Sequence, residues 1–137
     1  MRGSIAAGSG ATVLVVDDDQ QILCITANLL TSLGCKVITT PDGEAAHAIL
    51  KRDRSIALLL TDITLNGNMS GLELARLAEE TNPDIAIVYS TRYSPMFLLD
   101  SEAPSDRLLV RKPWRRGQLE AVLSSVLPLP GGATVYS

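Results

Sequence analysis

Short apolar runs alternate with helix-patterned stretches between residues 11 and 127, and two of those runs stop at carboxylates. Val13, Leu14, Val15 and Val16 lead into Asp17, Asp18 and Asp19, and the run Ile56 to Leu60 leads to Asp62. An apolar run without polar alternation reads as a strand covered on both faces, the pattern of a parallel sheet. Open parallel sheets bind ligands in the crevice past the carboxyl ends of their strands, which is where these aspartates fall.

The predicted strands are Thr12 to Val16, Cys35 to Thr39, Ile56 to Thr61, Ile85 to Ser90 and Arg107 to Val110, most of them rich in β-branched residues. The first predicted helix, Gln20 to Leu33, carries Leu23, Thr26, Leu30 and Leu33 on one stripe and stops at Gly34, a natural left-handed cap. Asp42 to Lys51 follows with Asp42 available as N-cap, then Gly71 to Thr81, ending before Pro83. Gly117 to Leu127 places Leu119, Val122, Leu123, Val126 and Leu127 at helical spacing. Between Ser94 and Ser105 the pattern is weak: Pro95 can open a short helix near Met96 to Asp100 and Pro104 can close it. Five successive βα units predict an α/β fold with a parallel sheet, right-handed crossovers and helices on both faces.

A chain of 137 residues with 46% hydrophobic content suits one domain with a central sheet. Residues 1–10 are rich in Gly, Ser and Ala and read as a flexible lead-in or tag; residues 128–137 carry Pro128, Pro130, Gly131 and Gly132 and read as a flexible tail. The domain is then residues 11–127. A net charge of −3 and a pI near 5.0 argue against general affinity for nucleic acid or an anionic membrane. No apolar stretch nears the roughly 20 residues that span a bilayer and no secretory pattern opens the chain, so the cytoplasm is the expected compartment. Cys24 and Cys35 form no metal-ligand pattern and read as small buried hydrophobes.

In a parallel sheet all strands end on one edge, so Asp17, Asp18, Asp62, Ser90 and Lys112 can converge from distant parts of the chain. Carboxylates brought close repel one another and favour a hard, oxygen-liganded divalent cation such as Mg²⁺. A metal held by carboxylates with open positions accepts phosphoryl oxygens. The Lys112 ammonium adds a positive charge and the Ser90 hydroxyl adds a hydrogen bond. The set suits phosphoryl transfer, where positioning and charge neutralisation dominate, with Asp62 as the nucleophile.

These residues resemble the receiver domain of the two-component response regulator family. The resemblance covers about residues 12–127 and rests on Val-Val-Asp-Asp at 15–18, Thr-Asp-Ile at 61–63, Met-x-Gly at 69–71, Ser90 after an apolar strand and Lys-Pro at 112–113. It implies a flavodoxin-like, doubly wound, five-stranded parallel sheet of order 2-1-3-4-5. It also implies a signalling phosphoacceptor, catalysing only its own phosphorylation and dephosphorylation. The phosphoryl group would come to Asp62 from a phosphohistidine of a sensor histidine kinase or a histidine phosphotransfer protein. Carried over by position, Asp18 and Asp62 would ligate Mg²⁺, Asp17 would act through water and the backbone carbonyl of Thr64 would complete the protein ligands. Ser90 would be the switch hydroxyl, and Lys112 would pair with the phosphoryl group.

Four departures from the family pattern stand out. Leu109 replaces the usual signalling aromatic. Thr91 follows Ser90 where Ala or Gly is usual. The loop Leu65 to Ser70 is one residue longer than the common form, with Leu65-Asn66 in place of Met-Pro, and the Met96 to Asp100 helix is weakly coded. Other residues have structural readings: Asp19 as a helix cap, His47 as a partly exposed helix residue, Trp114 as a packing anchor, and Arg111, Arg115 and Arg116 as a solvated rim. No DNA-reading segment follows the last helix in this sequence, so direct nucleic-acid binding is not expected; if these residues are the whole protein, output is expected by protein contact or phosphate relay, and whether they stand alone or belong to a larger regulator is left open, as is homodimerisation. Two alternatives remain: a haloacid dehalogenase-like phosphatase using Asp17 with Asp19, and a receiver-like module that signals without phosphate.

Overall fold

The computed structural model describes residues 10–63, 65, 67, 69–91, 108–111 and 116–126. Five strands, β1 (Thr12–Val16), β2 (Lys36–Thr40), β3 (Ile56–Asp62), β4 (Ala86–Thr91) and β5 (Leu108–Arg111), form one sheet of order β2-β1-β3-β4-β5. Every pairing in it is parallel. The helices are α1 (Gln20–Ser32), α2 (Gly43–Arg52), α3 (Gly71–Thr81) and α4 (Arg116–Val126).

Side-chain alternation along the strands sorts the core into two layers. Val13, Val15, Leu58, Leu60 and Val88 pack with Leu23, Leu30 and Leu33 from the α1 segment and Leu119 and Leu123 of α4. Leu14, Val16, Leu59, Ile87 and Tyr89 pack on the opposite face with Ala46 and Leu50 of α2 and Leu74, Ala75 and Ala78 of α3. Each fully buried Leu removes from water apolar surface worth about 2 kcal/mol, so these two layers supply most of the drive to fold. The apolar runs lack alternation because both sheet faces are covered.

Local hydrogen bonds explain where the element ends differ from the apolar runs. Cys35, placed by its sequence in the second strand, donates its N–H to Leu30 O at 3.0 Å while Gly34, at φ 95°, donates to Thr31 O at 3.0 Å. That pair of bonds is a Schellman cap closing α1, so the ladder of β2 begins one residue later. Ile85 likewise donates to Asn82 O in the turn after α3, and β4 begins at Ala86. Gly10, assigned to the lead-in, donates to Gly34 O at 2.6 Å and so is tied to the α1–β2 corner.

The starts of α1 and α2 are capped by Asp19 and Asp42 as the sequence predicts, and α3 is capped by Ser70, which the sequence reading does not single out. Asp19 accepts from the N–H groups of Gln21 and Ile22, Asp42 from Ala45, and Ser70 from Glu73. One reading is corrected: Cys24 is exposed, not buried, although Cys35 is buried. On α1 the inward stripe is Leu23, Thr26 and Leu30, and one residue of helix turns Cys24 about 100° away from Leu23. Burial pushes the Cys35 thiol up to about 11. His47 is half-buried on α2, as expected for a structural helix residue. The expectations for residues 1–9, the Met96 to Asp100 helix, Trp114, Arg115, Leu127 and residues 128–137 lie outside the described residues.

Candidate functional site

Register across the sheet assembles the site. Val16 pairs with Thr61 and Thr61 with Tyr89; one residue further on, Asp62 pairs with Ser90. Asp17 follows Val16 directly, so Asp17, Asp62 and Ser90 continue three adjacent strands at one level. Alternation puts their side chains on the α1/α4 side of the sheet, since Val15, Leu60 and Val88 all pack there. All three are buried, at 2%, 7% and 2% exposure, in an environment where a polar group needs partners. Ile63 extends the pairing by donating its N–H to Ser90 O at 3.1 Å.

Asp18 is half-buried at the mouth, and one carboxylate oxygen from each of Asp17, Asp18 and Asp62 lies within 4.8 Å of the other two. Two full charges at that separation repel by about 3 kcal/mol at an effective dielectric near 20. Repulsion of that kind makes the cluster a natural seat for positive charge. Asp17 is partly compensated by its own turn, where Asp19 N–H donates to Asp17 Oδ1 at 2.9 Å. Asp19, although adjacent, serves the first turn of α1 and stands outside the cluster.

The β3–α3 loop is held on the other flank. Gly71 N–H donates to Ile63 O at 2.9 Å, which folds the loop back over the end of β3. A side chain at Gly71 would collide with the carbonyl oxygen of Asp62 and come within 2.9 Å of Ile63 Cα. The glycine of Met-x-Gly is therefore a close-approach residue that lets α3 begin against the backbone of the central acid. Gly67, at φ 103°, supplies the left-handed turn within the loop, and Leu65 is buried against the α2/α3 layer. Thr61, fully buried, donates its hydroxyl to Asp62 O at 3.0 Å and helps hold that carbonyl.

Of the predicted site residues, Asp17, Asp18 and Asp62 come together and Ser90 stands beside Asp62 in register. Lys112 and Thr64 lie outside the described residues; β5 is described to Arg111, which pairs with Thr91. Sequence reasoning missed Thr40, whose carbonyl accepts the Asp17 N–H at 3.3 Å. Nothing in the sequence marks it, because that contact exists only once β2 lies beside β1. Leu109 pairs with Tyr89, so the strand next to the missing aromatic carries one, buried at 2%.

Three comparisons bear on what this arrangement belongs to. The profile described as response regulator receiver domain matches residues 13–124. The chain is 32% identical over 116 residues to the response regulator receiver protein CpdR of Brucella abortus, covering 84% of this chain and 95% of that protein. It is 27% identical over 124 residues to the phyllosphere-induced regulator PhyR of Methylorubrum extorquens, of which it covers 46%. Among solved structures, that of a response regulator receiver protein from Sinorhizobium medicae superposes with a TM-score of 0.77 at 29% identity, covering 86% of this chain and 94% of that one. With the profile matched over most of its length, this chain belongs to the response regulator receiver domain family.

Proposed function

We propose that this domain is a phosphoacceptor in two-component signalling, taking a phosphoryl group onto Asp62 from a phosphohistidine of a histidine kinase or phosphotransfer protein. The observation that carries the reading is the gathering of Asp17, Asp18 and Asp62 within 4.8 Å, with Ser90 in register beside Asp62. The donor set fits Mg²⁺: hard carboxylate oxygens from the ends of β1 and β3, gathered around one point. Asp18 and Asp62 would hold the ion directly, Asp17 through water and Thr64 through its backbone carbonyl. When bound, the ion neutralises charge on the transferring phosphoryl oxygens.

The chain's own residues do the rest. A carboxylate oxygen of Asp62 forms a bond to phosphorus as the P–N bond to the partner's histidine breaks, the electron pair remaining on the imidazole. The Ser90 hydroxyl donates to a phosphoryl oxygen, and the Lys112 ammonium pairs with another. Hydrolysis reverses the modification: water attacks phosphorus, inorganic phosphate leaves and the Asp62 carboxylate is restored. In this reading the domain is a signalling protein that catalyses only its own phosphorylation and dephosphorylation. It works without nucleic-acid contact and, as the sequence suggests, in the cytoplasm. Among the described residues no helix is long and apolar enough to cross a membrane.

Incubation with a small phosphodonor and Mg²⁺, followed by mass spectrometric location of the adduct, tests this proposal. A base-labile phosphoryl group on Asp62 is the expected result. An adduct on Asp17 that survives Asp62→Asn would favour the dehalogenase-like phosphatase instead, a reading weakened by the use of Asp19 Oδ1 as the α1 cap. No adduct would favour a module that signals without phosphate.

A further inference from the structure

We infer that the β2–α2 turn, Thr40 to Gly43, is a brace that sets the separation between the Asp17/Asp18 and Asp62 carboxylates, with Gly43 as a positioning residue for the metal site. This rests on the Mg²⁺ reading above. The sheet order places β1 between β2 and β3, so the turn after β2 must reach past β1 to touch the loop after β3. It does so with both ends anchored. At its start, Thr40 O accepts the Asp17 N–H at 3.3 Å, and Thr40 Oγ1 accepts from Asp42 N–H at 3.4 Å. At its end, the buried Gly43 opens α2 directly against the β3–α3 loop: a Cβ placed there would stand 3.2 Å from Met69 Cβ, 3.3 Å from Met69 O and 3.4 Å from Met69 Cγ.

Two residues beyond Met69, Gly71 lies on the Asp62 carbonyl and donates to Ile63 O. Contacts therefore run from Asp17 through Thr40, Gly43, Met69 and Gly71 to Asp62 without passing through the metal position. Two of the atoms crowding Gly43 are a Cβ and a backbone carbonyl oxygen, which cannot swing aside as a side-chain tip would. A methyl group at residue 43 must move the loop, or the start of α2 and with it Thr40, by a few tenths of an ångström. Octahedral Mg²⁺ tolerates little error in ligand spacing, so a shift of that size registers in affinity.

The test is a double-mutant cycle on the full chain, read by Mg²⁺ calorimetry, with Gly43→Ala, Met69→Gly and the pair. Gly43→Ala should weaken Mg²⁺ binding about fivefold, below the usual loss for an outer contact of a metal site because no ligand is removed. Thermal stability should change little, because the gain in helix propensity at the first residue of α2 offsets the crowding against Met69. In the Met69→Gly background, where the obstructing Cβ and Cγ are gone, the same substitution should cost less than about twofold. In the metal-free protein the Asp17 amide resonance should move with Gly43→Ala and return toward its place in the double variant.

A wild-type chain that binds Mg²⁺ while Gly43→Ala binds it equally well would overturn the brace alone. So would an equal loss in both backgrounds, which marks a generic structural effect. A wild-type chain that binds no Mg²⁺ would bring down the metal reading and the brace together.

Discussion

The two edges of the sheet use the same polar residues for opposite ends. At the amino-terminal edge Asp53 closes its own turn, accepting from both the N–H and the hydroxyl of Ser55, and Asn82 accepts from Asp84 N–H in its turn while donating to Ile56 O at the start of β3. At the carboxyl-terminal edge Asp17 and Asp18, which follow β1, and Asp62, which ends β3, crowd one another. Local closure stabilises a fold, whereas crowding of like charge favours a bound cation. Removing a polar group should therefore weaken the first edge and relax the second.

The largest expected effect is at the crowded edge. Asp62→Asn should reduce phosphoryl uptake from a small phosphodonor to background by mass spectrometry, yet raise the metal-free unfolding free energy by about 2 kcal/mol through lost repulsion. A destabilised Asp62→Asn variant would break the comparison. Gly71→Ala should cost about 3 kcal/mol in urea unfolding, because its methyl group meets the backbone of Asp62 and Ile63, which cannot repack as side chains do.

Near the other edge, Cys35 gives a pH test. Burial raises its thiol from 9.0 to about 11, so its contribution is intact below pH 9.0 and lost as pH rises through the folded value. Wild type should lose about 2 kcal/mol more than Cys35→Ala between those limits in denaturant unfolding. Asn82→Ala should cost about 1 kcal/mol by losing its bonds to Ile56 O and Asp84 N–H, with Mg²⁺ affinity unchanged by calorimetry. The smallest effect belongs to Asp53, whose carboxyl the side-chain and backbone hydrogen bonds from Ser55 hold below its ordinary value of 3.8. Its contribution is present above that pH and fades as pH falls through the lower folded value; Ser55→Ala should remove part of this acid-side slope in a pH-dependent melting series.

Much of the architecture was legible because the signals are local. The covered strands announce themselves as apolar runs, Gly34 and the caps Asp19 and Asp42 mark helix ends, and Gly71 to Thr81 matches its predicted bounds. Cys35 and Ile85 were misplaced by one residue because apolarity does not reveal whether an amide joins a ladder or a turn. Cys24 was misread because composition suggests burial while helix phase decides it.

By itself the sequence determined the element types, the parallel class of the sheet and the carboxylate at the end of each key strand, since each depends on residues within a few positions of one another. Only the tertiary structure decided that Asp17, Asp62 and Ser90 stand at one level, that Gly71 must lie on the Asp62 carbonyl and that Gly43 meets Met69. Those are distances between backbones from separate segments, set by register and packing, and no local propensity encodes them.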